Sequence, residues 1–137
     1  MRLAMVSIYI VALVTAFLAP SPEKKLPPVK QVDFSGYYSC VGVQGGKEYR
    51  AIVMVDKVPN KDVHIVAWSL RGVSFTGIGF IKGEHFICGW SGSTMRGVGI
   101  YTFSDKTLTG EILSLPGDGT TYRETWKFLR PLEKADE

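Results

Sequence analysis

Between Phe34 and Arg130 the apolar runs lie too close together for a parallel crossover. A parallel connection needs a dozen or more residues, whereas antiparallel neighbours can be joined by two. No helical period survives across this stretch. Short β-branched and aromatic runs recur, separated by turn residues. They predict eight strands, at about Phe34–Gly42, Glu48–Val58, Asp62–Leu70, Val73–Ile81, Glu84–Trp90, Arg96–Phe103, Thr107–Leu113 and Thr121–Arg130. The separators are Gly45-Gly46, Pro59-Asn60-Lys61, Arg71-Gly72, Lys82-Gly83, Ser91-Gly92-Ser93, Asp105-Lys106 and Pro116-Gly117-Asp118-Gly119. The expected fold class is all-β. Consecutive strands pair as an antiparallel, up-and-down meander, and eight such strands remove their edges by closing into a barrel.

A weak internal repeat agrees with this. Tyr49–Val53 leads through a turn to Val63–Trp68, Phe75–Phe80 to His85–Trp90, and Arg96–Tyr101 to Leu108–Ile112. Each unit reads as one hairpin.

Strand parity sorts the side chains into faces. In the last strand Tyr122, Glu124, Trp126 and Phe128 share one face, and Thr121, Arg123, Thr125 and Lys127 the other. Phe86, Cys88 and Trp90 align, as do His64, Val66, Trp68 and Leu70, and Phe34, Gly36, Tyr38 and Cys40. The pairs Gly77/Gly79 and Gly97/Gly99 each lie on one face. Such pairs make room for an aromatic ring, let a strand bend, or widen a cavity. Segments such as Ala51–Val55 are apolar on both faces, which calls for something to cover part of the outer wall, either the N-terminal spacer or a partner.

The chain preceding the strands is different in kind. Arg2 is followed by Leu3–Ala19, a run without charge. This length falls between a secretory apolar region and a membrane span. Residues 1–19 therefore read as a signal peptide or an N-terminal membrane anchor. Residues 20–33 carry Pro20, Pro22, Pro27 and Pro28 among three lysines and read as an extended spacer. Residues 34–130 are the expected barrel domain and 131–137 a charged tail. The expected location is secreted or periplasmic, with membrane contact only through residues 1–19 if they are uncleaved.

Charge excludes one class of partner. The formal net charge is +3. Arg2, Lys24, Lys25 and Lys30 against Glu23 and Asp33 place +2 of it within residues 1–33. The strand region is nearly neutral and lacks the clustered basic face of a nucleic-acid binder.

These residues resemble a known group. Eight short antiparallel strands, the Gly36-Tyr37-Tyr38 start and an aromatic last strand ending in Arg130 look like the lipocalin and avidin group of calycin-type barrels. Tyr38 stands where a lipocalin carries Trp, and Pro131–Glu137 leaves no room for the helix that follows a lipocalin barrel. Gly77-Ile78-Gly79 and Gly97-Val98-Gly99-Ile100-Tyr101 are also similar to short exported bacterial proteins labelled fibronectin-binding. The resemblance implies a barrel that binds a ligand and brings no contact residue with it.

No nucleophile elbow, metalloprotease helix, phosphate loop or Cys-x-x-Cys occurs. No cofactor or metal is expected. His85 and Cys88 have opposite parity, which argues against a shared metal. Glu124 is the residue of most chemical interest. If its face points inward, a carboxylate enters an apolar barrel and needs an arginine, a ligand or a proton there. The alternatives are a ligand anchor, a pair with an interior base, or a place at the mouth where water reaches. Trp68, Trp90 and Trp126 form either a stacking platform or core. Cys40 and Cys88 fall on the first and fifth strands, opposite each other in a round barrel, where Cα atoms cannot approach within about 7 Å. Free buried thiols therefore fit the barrel, and a disulfide would contradict it.

The function expected from this reading is non-enzymatic binding of a small apolar or amphipathic ligand, with Glu124, Tyr122, Trp126, Trp68, Trp90 and Tyr38 as candidate lining. An envelope or extracellular protein-interaction module on the outer strands is the alternative. A small lyase or isomerase in the barrel mouth comes third, since the sequence offers no acid–base pair.

Overall fold

The computed structural model describes residues 32–133. Residues 1–19, read above as a signal peptide or membrane anchor, residues 20–31 of the expected spacer and residues 134–137 of the expected tail lie outside the described residues.

Eight strands follow one another: β1 (Gly36–Gln44), β2 (Lys47–Lys57), β3 (His64–Leu70), β4 (Val73–Lys82), β5 (His85–Ser91), β6 (Arg96–Ser104), β7 (Thr107–Leu115) and β8 (Tyr122–Arg130). Each pairs antiparallel with the next, and β8 returns to pair with β1, so the sheet is a closed barrel. This is the expected fold, and its architecture is consistent with a calycin-type barrel. Closure carries one irregularity. Tyr37 opposes Arg130 while Tyr38 opposes Phe128, a bulge that takes up the extra residue Leu129.

Turn chemistry sets the registers. Lys82 opposes His85, leaving Gly83-Glu84 as a two-residue turn. Gly83 has φ +61°, a value that glycine reaches without a steric cost.

On β1, β3, β5 and β8 the inward faces are the rows that parity aligned. Tyr38, Cys40, Val53, Val55, Val66, Trp68, Phe86, Cys88, Tyr101, Leu108, Ile112 and Trp126 are all buried. Cys40 and Cys88 are both free thiols. Burial pushes both thiols up, Cys88 to about 12. The paired strand glycines make room for rings. A Cβ on Gly79 would meet the Ile87 carbonyl oxygen and, at 2.6 Å, the Phe86 ring, and one on Gly97 the Leu113 carbonyl oxygen and, at 2.5 Å, the Trp90 ring.

The two ends of the barrel differ. At the end holding the β2–β3, β4–β5 and β6–β7 turns, Phe34 closes the interior. Its ring lies 4.3 Å from His64, 4.8 Å from Phe86 and 5.0 Å from Phe103. The Tyr38 hydroxyl donates to the Phe34 carbonyl at 2.6 Å and fixes this plug. Among the described residues, the end holding the β1–β2, β3–β4, β5–β6 and β7–β8 loops has no such plug.

Candidate functional site

Glu124 lies on β8, opposite Gly42 of β1 on one side and Gly110 of β7 on the other. Gly42 in turn opposes Tyr49 of β2, and Gly110 opposes Tyr101 of β6. The row across five strands is therefore Tyr49, Gly42, Glu124, Gly110, Tyr101. Each tyrosine ring crosses a glycine. A Cβ on Gly42 would collide with the Tyr49 ring, and one on Gly110 with the Tyr101 ring. Only glycine lets the two phenols converge on one carboxylate.

The carboxylate is 3% exposed and accepts four hydrogen bonds. Oε1 accepts from Trp68 Nε1 at 3.0 Å, from the Tyr101 hydroxyl at 3.1 Å and from Trp126 Nε1. Oε2 accepts from the Tyr49 hydroxyl. All four groups donate, and an ionised carboxylate is acceptor-only, so the inventory matches. Burial raises the Tyr49 and Tyr101 phenols, with the Glu124 charge as the next cause, and keeps both as donors. Among the described residues the ion pairs are Arg50–Glu48 and Arg130–Glu133, and Glu124 has no cation within ion-pair distance. Of the alternatives left open for Glu124, no pair with an interior base is found among the described residues, and neutral donors hold the carboxylate.

Above Glu124 the barrel opens into a cup of about 250 Å³. Glu124, Tyr49 and Trp68 line its deeper part; Leu70, Phe75, Trp90, Ile112 and Tyr122 form the walls; Gln44 and Met95 stand at the rim. The walls are braced by edge-to-face pairs, Phe75 with Trp90 at 5.4 Å and Tyr49 with Tyr122 at 6.2 Å. The volume lies just below the roughly 300–1,000 Å³ typical of drug-sized pockets. It suits a small molecule, or the head of a longer one whose remainder projects from the mouth.

Of the six residues singled out by sequence, Glu124, Trp68, Trp90 and Tyr122 line the cup. Trp126 is fully buried beneath them and serves as a donor to Glu124. Tyr38 is buried away from the cup and holds the Phe34 plug. Tyr49, Phe75, Ile112 and the Tyr101 donor were missed by the sequence reading. Their inward parity was readable, but their place beside Glu124 depends on pairing across the β8–β1 closure.

A second surface feature lies on the outer wall. Ile65, Ile78, Gly89 and Val98 stand side by side on β3 to β6. Ile65, Ile78 and Val98 are exposed, and Gly89 leaves a shallow groove between its neighbours.

No family model matches the chain, and no curated protein matches it.

Proposed function

We propose that the protein is an exported, non-enzymatic binding protein of the lipocalin and avidin type, whose barrel takes a small amphipathic ligand through its open end. The observation that carries this reading is the asymmetry of the interior. One end is plugged by Phe34, while the other is an aromatic cup with a single carboxylate, held by four hydrogen bonds, at its base. Mostly apolar walls with one fixed polar group are what a small-molecule site requires. The uncharged run behind Arg2 supports export.

The test is titration with the neutral amphipathic dye N-phenyl-1-naphthylamine, followed by dye emission and by quenching of Trp68 and Trp90. Saturable 1:1 binding is expected. Leu70→Trp, which fills the cup, weakens it at least about tenfold, and Ile78→Lys on the outer wall leaves it unchanged. Dye binding that ignores Leu70→Trp overturns the reading.

The exposed row Ile65, Ile78 and Val98 favours a second reading, a protein-interaction module using the outer strands toward an envelope or extracellular protein. Under that reading Ile78→Lys abolishes the biological contact and Leu70→Trp does not.

A further inference from the structure

We infer that the ligand of the cup is an organic ammonium ion, held with its charge toward Glu124 and its carbon groups against the aromatic walls. This rests on the reading of the cup as a ligand site and names the chemistry of what enters it.

Two independent observations carry the inference. The first is the charge. Four neutral dipoles donate to Glu124, yet they do not cancel its net charge, and no cation of the described residues lies within ion-pair distance. A buried charge is costly until a counter-charge approaches it. Of the two oxygens, Oε1 already has three donors, while Oε2 has only Tyr49 and keeps acceptor capacity. Both Glu124 and Tyr49 line the cup, so the oxygen with fewer donors is bonded to a side chain of the cup's own lining.

The second is the wall. Tyr49, Trp68, Phe75, Trp90 and Tyr122 surround the space above the carboxylate. Aromatic faces attract a cation through the ring quadrupole, most strongly when it is desolvated, and cages of this kind recognise alkylated ammonium groups. An anionic head would be repelled by Glu124, and a neutral apolar tail would leave its charge without a counter-ion. The basic residues near the mouth, Lys47, Arg50, Arg71 and Arg96, are exposed, and water and salt screen their field within about 8 Å.

Three probes of nearly equal shape separate the possibilities. Choline, its neutral carbon isostere 3,3-dimethylbutan-1-ol, and the anion 3,3-dimethylbutanoate are titrated into the full-length protein by tryptophan emission and by displacement of N-phenyl-1-naphthylamine. Choline is expected to bind about tenfold tighter than the alcohol, and the carboxylate more weakly than either. Glu124→Gln reduces the choline preference to within about twofold, and Tyr122→Leu weakens choline several-fold while leaving the alcohol unchanged. The wild-type comparison of choline with the alcohol decides the matter even if Glu124→Gln fails to fold. Equal or better binding of the alcohol overturns the inference, as does a choline preference that survives in a folded Glu124→Gln protein. Choline failing to bind while the naphthylamine enters the cup overturns the inference and leaves the ligand-site reading standing. Naphthylamine binding that ignores Leu70→Trp removes the ligand-site reading itself.

Discussion

Tyr49 and Glu124 are 75 residues apart in the chain, yet the Tyr49 hydroxyl donates to Glu124 Oε2 across a single glycine. Tyr101 repeats the arrangement from the other side across Gly110. The base of the cup is thus a near-symmetric clamp, two phenols reaching over two glycines, with two indoles completing the donor set.

Removing a donor from this clamp should be costly, because a hydrogen bond to a charged group contributes about 1.5–3 kcal/mol. Tyr101→Phe is expected to destabilise the protein by that amount, measured by urea denaturation. In a Glu124→Gln background the same change should cost only about 1 kcal/mol, the worth of a neutral bond. Equal costs in the two backgrounds would show that the Tyr101 hydroxyl does not act through the Glu124 charge.

Gly42 is needed for space. Gly42→Ala places a methyl group in the Tyr49 ring and should cost about 1–3 kcal/mol by overpacking. Combined with Tyr49→Ala, which empties that space, the substitution should become nearly neutral. A Gly42→Ala cost that is unchanged in the Tyr49→Ala protein would place its origin in the backbone instead.

His64 predicts acid sensitivity. Its ring is fully buried against Phe34, neither ring nitrogen has a hydrogen-bond partner among the described residues, and burial holds the imidazole below its usual 6.5. The folded state therefore takes up this proton at lower pH than the unfolded chain. Below about pH 6.5 the unfolded chain binds the extra proton, and stability falls with falling pH by up to about 1.4 kcal/mol per unit. Urea titrations between about pH 5 and 7 should show this slope, and His64→Leu should flatten it. The same slope in the variant would assign it to other groups.

Cys40 and Cys88 should stay silent toward a thiol reagent in the folded protein, because both are buried and burial raises their thiols. Unfolding in urea without reductant should release two reactive thiols. A protein that yields none would carry a disulfide, which a round barrel with these residues on β1 and β5 does not permit.

The barrel was legible in the sequence because its determinants are local. Short turns exclude crossovers, and alternation marks the inward face, so each predicted strand lies within about two residues of the observed one. Glu124 was readable as inward from Tyr122, Trp126 and Phe128 beside it. Its partners were not readable. Trp68 and Tyr49 reach it over 56 and 75 residues, and the register that aligns Gly42 with Glu124 exists only once β8 closes on β1. For the same reason four neutral donors were not anticipated in place of a basic group. Each donor reads by itself as an ordinary core aromatic.

Native mass spectrometry of the protein isolated from its source reads the occupant of the cup directly. One small molecule per chain should be retained, carrying a fixed or protonated amine and absent from the Leu70→Trp protein. Wild-type protein that is free of bound molecules and whose Trp68 and Trp90 emission does not respond to amphipathic probes would contradict that expectation.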